Sequence, residues 1–178
     1  MRRPNYYPPG GHVLQCTDPA CAREHYPRTD PAIIVLVEHG DRALFGRKAE
    51  WPAHRYSTIA GFVEPGESVE QAVVREVAEE TGVEVIESCY HSSQPWPFPG
   101  SLMLGYTARA GRFQIHLNDR ELEEAKWLSR QELADRLVCG EFLPPTPISI
   151  SFRLIEDWFN RQQSIPFRVL CENNNSRG

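Results

Sequence analysis

The sequence predicts an α/β (α+β) fold in which a mixed β-sheet is sandwiched between helices. Short runs rich in β-branched and aromatic residues alternate with segments whose apolar residues recur at helical spacing. The β-rich runs cover residues 33–37, 42–45, 57–63, 84–90, 102–109, 113–117 and 125–128. Three helices interrupt these runs, so strands and helices are expected to pack as layers.

The first predicted helix covers residues 69–81 and carries signals at both ends. Ser68 and Gln71 form a capping-box pattern, and Gly82 suits the left-handed residue that follows a helix. The apolar residues recur on one face of this helix: Val69, Ala72, Val73 and Val77. That face is expected to be buried.

Two further helices follow towards the C-terminus. A second capping box, from Ser129 to Glu132, begins a short helix that ends near Gly140. A third helix spans about residues 148–161, and its apolar face consists of Phe152, Ile155, Trp158 and Phe159.

Composition narrows the classes of protein. A chain of 178 residues with 40% apolar and 24% charged residues is typical of one globular domain. The longest apolar run, 32–37, is far shorter than the roughly 20 residues of a membrane-spanning helix, and the N-terminus lacks an apolar signal region. We therefore expect neither a membrane span nor secretion.

The charge and the cysteines of the chain bear on its partners and its compartment. The net charge of −5 argues against general nucleic-acid binding. The five scattered cysteines favour reduced thiols in the cytoplasm.

The segment 61–83 contains a cluster of acidic residues on the first helix. At about 100° per residue, Glu76, Glu79 and Glu80 fall on one arc, opposite the valine face. Several carboxylates directed at one point are what hard cations such as Mg²⁺ require, and Arg75 can orient Glu79 one turn away. Spacing alone leaves a solvated acidic face as an equal alternative.

The whole pattern resembles the complete Nudix box. Its glycines, glutamates and arginine stand at Gly61, Glu67, Arg75-Glu76, Glu79-Glu80 and Gly82. The resemblance implies the Nudix fold and hydrolysis of a nucleoside diphosphate linked to another moiety. It also implies that Glu76, Glu79, Glu80 and the carbonyl of Ala60 bind Mg²⁺ or Mn²⁺. Among the catalytic glutamates, Glu80 is the favoured base and Glu79 the alternative.

A stiff, aromatic segment follows the box at residues 93–101. Three prolines restrict its backbone, Trp96 and Phe98 offer rings for stacking, and Gln94 offers an amide. The residues alone also allow a loop that packs against a neighbour or a dimer partner. Box and segment together resemble the NADH pyrophosphatases, the NudC-type branch of the Nudix hydrolase superfamily. The resemblance assigns substrate binding to Gln94, Pro95, Trp96, Pro97, Phe98, Pro99, Gly100 and Ser101.

Three residues elsewhere match the same branch. Tyr26 corresponds to an aromatic pocket position, Glu121 to an additional metal ligand, and Ser151 to a substrate contact. The implied reaction is metal-dependent hydrolysis of NADH or NAD⁺ to nicotinamide mononucleotide and AMP, with NAD-capped RNA 5′ ends as a further substrate. Relatives in this branch form homodimers, so a homodimer is expected. The alternatives are a Nudix hydrolase of ADP-ribose or another nucleoside diphosphate derivative, and a non-catalytic nucleotide sensor.

The expected domain organisation is an N-terminal arm (1–30), a Nudix hydrolase domain (31–165) and a C-terminal tail (166–178). The arm carries Cys16 and Cys21, the remnant of a segment that resembles a zinc ribbon. Structural zinc requires four ligands, which His12 and His25 could complete. A metal-free remnant is the favoured interpretation, in either a compact variant or part of a longer protein.

Overall fold

The structure is a computed structural model that describes residues 5–6, 13–117 and 121–175. The chain divides into two compact units, residues 1–30 and 31–178. The first unit contains a three-stranded antiparallel sheet of β1 (Asn5–Tyr6), β2 (Leu14–Cys16) and β3 (Glu24–His25). His12 and residues 176–178 lie outside the described ranges.

The second unit is built on a six-stranded sheet. Its strands are β4 (Asp30–His39), β5 (Arg42–Arg47), β6 (Ile59–Phe62), β7 (Val85–Trp96), β8 (Ser101–Ala110) and β9 (Glu124–Ser129). They run in the order β7-β8-β4-β5-β9, and β6 also pairs with β4. The helices are α1 (Val69–Thr81), α2 (Arg130–Cys139), α3 (Ile150–Asn160) and α4 (Phe167–Asn175).

Strand β4 separates two hydrophobic cores because successive side chains of a strand point to opposite faces. Val35 belongs to the core that contains Val77 of α1, whereas Leu36 belongs to the core that contains Trp158 of α3. Helices therefore cover both faces of the sheet, which confirms the predicted α/β sandwich. None of the helices in the described ranges combines the length and apolarity needed to cross a bilayer.

Both predicted capping boxes are present. At α1, the Ser68 hydroxyl accepts a hydrogen bond from the Gln71 backbone N–H at 3.2 Å, and the Gln71 side chain accepts one from the Ser68 backbone. The helix ends at Gly82, whose φ of 67° is left-handed. Helix α2 repeats this arrangement between Ser129 and Gly140. These local signals fix where α1 begins and ends, and so place its acidic face.

Three segments differ from the sequence-based expectations. Strand β7 continues to Trp96, so the proline-rich segment forms the tip of a hairpin. The strand expected at 57–63 is shorter, at Ile59–Phe62. The strand predicted at 113–117 is wrong: this segment is irregular, and the Phe113 ring stacks on Trp127 at 5.4 Å while its carbonyl accepts the indole N–H. Ring packing takes the place of strand pairing there.

The region predicted as a tail contains α4. Phe167 is fully buried, with its ring 5.1 Å from that of Phe152 and 5.5 Å from that of Phe159. The Asn160 side chain accepts a hydrogen bond from the Phe167 backbone at 2.8 Å. Burial of an aromatic side chain contributes on the order of 2 kcal/mol, which explains why this short segment packs against the core.

Candidate active site

The acidic face of α1 is organised around Arg75. Its guanidinium donates to both carboxylate oxygens of Glu67, at 3.1 and 2.7 Å, and to the Phe62 carbonyl at 2.8 Å. Such a two-point pair fixes the plane of both groups. Arg75 therefore ties the loop before α1 to the helix itself.

The same guanidinium also contacts the two neighbouring glutamates of the box. It donates to Glu76 and to Glu79, each at 2.9 Å, and the second contact confirms the predicted pairing one turn apart. Hydrogen bonding to Glu67, above all, raises the pKa of Arg75 despite partial burial. One cation thus holds three like charges together.

Glu76 lies against the backbone of Gly61. A β-carbon on residue 61 would overlap the Glu76 carboxylate, so only glycine leaves room for it. Burial raises the pKa of Glu76, hydrogen bonding to Arg75 opposes that shift, and the negative charges of Glu79 and Glu121 add to it. Glu76 is therefore a half-buried carboxylate in a strongly negative environment.

Lys48, directly after β5, brings Glu121 to this cluster. Its ammonium lies 3.2 Å from a Glu121 carboxylate oxygen. Burial lowers the pKa of Lys48, but the combined effect of Glu121, Glu80 and Glu50 raises it overall. Glu80 is only 2% exposed. The charges of Glu76, Glu79, Glu80 and Glu121 thus act within one neighbourhood.

The carboxylates do not yet converge on one point. Within the described ranges, no three acidic, histidine or cysteine side chains are placed to hold a metal ion. Arg75 occupies oxygens of Glu76 and Glu79 instead. The donor set nevertheless suits a hard cation, because it offers carboxylate oxygens beside the Gly61 backbone, with Ala60 one residue earlier in β6. Arg75 contacts one oxygen of Glu76 and one of Glu79, so the second oxygen of each carboxylate is not held by Arg75.

A cleft of about 420 Å³ lies in the same unit. It is lined by Ile34, Trp51, Pro52, Arg55, Tyr56, Ser57, Gln94, Trp96, Met103, Pro145, Thr146, Ser149, Ile150 and Ser151. Gln94 connects β7 to the start of α3: its amide nitrogen donates to Ile148 at 2.6 Å, and its amide oxygen accepts from the Ile150 N–H at 2.8 Å. The nitrogen and the oxygen of the Gln94 side-chain amide are therefore both engaged at the edge of the cleft.

Apart from Gln94 and Trp96, the residues of the proline-rich segment lie outside this cleft. Residues 97–100 form the hairpin turn, and Ser101 is buried at the start of β8, opposite Trp96. Phe98 is 71% exposed and meets Trp96 edge to face at 5.5 Å. Pro95 lines a second cleft, also bordered by Gln94. Of the predicted segment, Gln94 and Trp96 line the cleft of 420 Å³.

Ser151 lines this cleft but is 3% exposed. Its hydroxyl lies 2.9 Å from the Ser57 hydroxyl and 2.9 Å from the Thr58 hydroxyl, and accepts a long hydrogen bond from the Thr58 backbone at 3.4 Å. A serine hydroxyl has one donor and two acceptor positions. Its hydrogen-bonding capacity is therefore taken up within the protein.

The remaining predicted site residues lie in the first unit. The Tyr26 hydroxyl donates to Glu24 at 2.9 Å, and this hydrogen bond raises the pKa of Tyr26. Cys16 ends β2, and Cys21 is an exposed free thiol. The metal-free interpretation of this pair stays a prediction, with a zinc site as its alternative.

Sequence reasoning missed several residues of the site. Lys48 and three lining residues, Trp51, Arg55 and Tyr56, come from the connection between β5 and β6. The only available signal was the Trp51-Pro52 pair, because isolated cationic residues in a loop carry no spacing pattern.

The NUDIX domain family model matches residues 27–143. The chain is 46% identical to Nudix hydrolase 19, chloroplastic, of Arabidopsis thaliana over 139 residues, which are 74% of this chain and 32% of the relative. It is 45% identical to the NAD-capped RNA hydrolase NudC of Pseudomonas aeruginosa over 160 residues, 89% of this chain and 53% of that protein. It is 40% identical to the NAD-capped RNA hydrolase NUDT12 of Macaca fascicularis over 161 residues, which are 84% of this chain and 35% of that protein. The chain thus spans about a third to a half of these relatives.

Solved structures agree on the fold. A NUDIX hydrolase from Nitrosomonas europaea superposes with a TM-score of 0.68 at 19% identity, over 92% of this chain and 89% of the other. A NUDIX-family hydrolase from Clostridium perfringens superposes with a TM-score of 0.58 at 14% identity, over 77% of this chain and 100% of the other. The family model covers most of the chain, and the residues of the Nudix box are arranged around Arg75. This protein is therefore a member of the Nudix family, and its similarity to the relatives above places it in the NudC type.

Proposed function

We propose that this protein hydrolyses the diphosphate bond of NADH and NAD⁺, giving nicotinamide mononucleotide and AMP. One observation carries the proposal: the unit that holds the Glu76–Glu80 acidic face also holds a cleft lined by Gln94 and Trp96. The names of the relatives, two of them NAD-capped RNA hydrolases, support the same chemistry. NAD-capped RNA 5′ ends are the second proposed substrate.

Each part of the site has a role in this proposal. Trp96 stacks against a flat ring of the substrate, and Gln94 keeps the start of α3 in position to form the opposite wall. A divalent cation, Mg²⁺ or Mn²⁺, supplies charge neutralisation at the diphosphate and lowers the pKa of the attacking water. Glu76, Glu79, Glu80, Glu121 and the Ala60 carbonyl are the proposed ligands.

Proton transfer is assigned to Glu80. The water oxygen forms a bond to one phosphorus, the bridging P–O bond breaks, the water proton passes to a carboxylate, and the leaving phosphate departs as a mononucleotide. Glu79 forms an ion pair with Arg75 at 2.9 Å. Glu80, which is buried on the next position of α1, is the proposed acceptor.

Two features of the whole protein are proposed with this function. Homodimerisation is supported by β7, a long strand at the edge of the sheet whose Tyr90 and Ile86 are exposed. A cytoplasmic location is supported by the five free cysteines, because a reducing compartment would keep their thiols reduced.

The test is product analysis with NADH and Mn²⁺. The proposal predicts equimolar reduced nicotinamide mononucleotide and AMP, and a loss of at least about a hundredfold in kcat for Glu80→Gln with an unchanged circular dichroism spectrum. Retention of more than a tenth of wild-type kcat would remove Glu80 as the base. Nucleotide binding without any cleavage would favour a sensor, and a preference for ADP-ribose would favour the other hydrolase.

A further inference from the structure

The cleft of 420 Å³ contains a single charged lining residue, Arg55, within the described part of the chain. Its other lining residues are apolar, aromatic, hydroxyl-bearing or amide. The Arg55 side chain makes no hydrogen bond or ion pair with any described residue, and its Nε atom is buried without a partner. The cleft thus holds one positive charge that no carboxylate in the described ranges neutralises.

The backbone holds Arg55 in a fixed position. The His54 carbonyl accepts a hydrogen bond from Leu143 at 2.7 Å, and the Tyr56 N–H donates to the Leu143 carbonyl at 3.2 Å. His54 adopts a left-handed φ of 64°, which costs a non-glycine residue on the order of 1 kcal/mol. Hydrogen bonds on both sides maintain this conformation, so the backbone at Arg55 is held without a bound ligand.

A phosphate in the cleft would give the Arg55 guanidinium the acceptors that no described residue supplies. The planar guanidinium matches the oxygens of a phosphate, to which it donates two parallel hydrogen bonds. We propose that Arg55 binds a phosphate group of the substrate inside this cleft. The proposal rests on the function proposed above and adds a residue that selects for phosphorylated nucleotides.

Two phosphates of a dinucleotide substrate share this chemistry. One is the 5′-phosphate that forms half of the bridging diphosphate. The other is a phosphate on the ribose at the 2′ or 3′ position, as in a phosphorylated dinucleotide or a capped RNA. Mononucleotides distinguish them, and because they contain no diphosphate bond, they can be titrated with Mg²⁺ present without turnover.

The experiment titrates 5′-AMP, 2′-AMP, 3′-AMP and adenosine into wild type, Arg55→Gln and Arg55→Lys, and follows binding by calorimetry. Arg112→Gln is the matched control, since Arg112 is 75% exposed and does not line the cleft. The proposal predicts that Arg55→Gln weakens at least one monophosphate about tenfold or more. Adenosine should change less than twofold, Arg55→Lys should recover part of the loss, and the monophosphate that loses affinity identifies the phosphate.

Equal affinities of wild type and Arg55→Gln for all three monophosphates would overturn the proposal. So would an equal loss for adenosine, or a change in oligomeric state alone, which would mean that Arg55 pairs with a second copy. NADH hydrolysis measured in parallel separates the two proposals. If the protein hydrolyses NADH but Arg55→Gln leaves monophosphate binding unchanged, only the phosphate site is refuted. If Arg55→Gln weakens monophosphate binding but NADH is not hydrolysed, only the proposed hydrolase activity is refuted.

Discussion

The carboxylate of Glu76 occupies the space that a β-carbon on residue 61 would need. The two residues come from different elements, since Gly61 belongs to β6 and Glu76 to α1. The contact explains why glycine stands at residue 61, where its lack of a side chain, rather than a positive φ, is what matters. It also places the Glu76 carboxylate directly beside the backbone of β6.

Gly61→Ala should therefore displace Glu76 and reduce kcat by at least about tenfold, because the carboxylate moves out of the place from which it acts. Gly40→Ala is the control: a β-carbon there meets nothing within 4 Å, but its φ of 62° costs stability. The control should lose about 1 kcal/mol of unfolding free energy and keep its turnover. Equal kinetics for wild type and Gly61→Ala would refute the proposed role of Glu76.

Trp96 and Phe98 should differ in their contribution to substrate binding. Trp96 lines the cleft, whereas Phe98 is 71% exposed at the hairpin tip. Trp96→Ala should raise KM for NADH about tenfold, because base–aromatic stacking is worth on the order of 1–3 kcal/mol. Phe98→Ala should change it by less than threefold. ADP-ribose, which contains adenine but lacks nicotinamide, reports which ring is stacked. An equal rise in KM for both substrates would mean that Trp96 stacks on adenine, and a rise for NADH alone would mean that it stacks on nicotinamide.

Ser151→Ala should lower stability more than it affects substrate binding. Its hydroxyl joins Ser57 and Thr58, so its removal leaves buried groups unsatisfied, at about 1–2 kcal/mol. Denaturant unfolding measures this loss, and Ser88→Ala on β7 is the control. Unchanged stability together with a raised KM would instead make Ser151 the direct substrate contact that the family resemblance implies.

Acid should weaken the cap of α2. Hydrogen bonding to the Ser129 backbone, then to its hydroxyl, with help from Arg42, lowers the pKa of Glu132 below its usual 4.5. A lowered pKa in the folded state means that this stabilisation is present above about pH 4.5 and is lost as the pH falls through the folded value.

The measurement compares wild type with Glu132→Gln at pH 7 and pH 3. Wild type should be more stable at pH 7 by about 0.5 kcal/mol, because the carboxylate is partly exposed, and the two should converge at pH 3. A difference that does not depend on pH would show that the charge of Glu132 contributes nothing.

Local signals predicted α1 and its box well. The capping residues Ser68 and Gln71 and the terminator Gly82 act within the helix itself, so their effect is visible in the sequence. The cleft could not be predicted, because Gln94 meets Ile148 and Ile150 more than fifty residues away. The position of Arg55 depends in the same way on pairing with Leu143.

The errors have a related cause. Residues 113–117 have β-forming side chains, but Phe113 stacks on Trp127 in β9, and tertiary packing outweighs strand propensity there. The region predicted as a tail, 166–178, contains a helix that packs on the core through Phe167 and Cys171. In both segments tertiary packing outweighs the local signals.

The most direct test of the metal-centred account is a crystal soaked in Mn²⁺, with the ion located by its anomalous scattering. The account predicts a peak with carboxylate oxygens of Glu76, Glu79 and Glu80 at about 2.0–2.3 Å. A peak elsewhere, or no peak while Arg75 keeps its contacts with both Glu76 and Glu79, would contradict it.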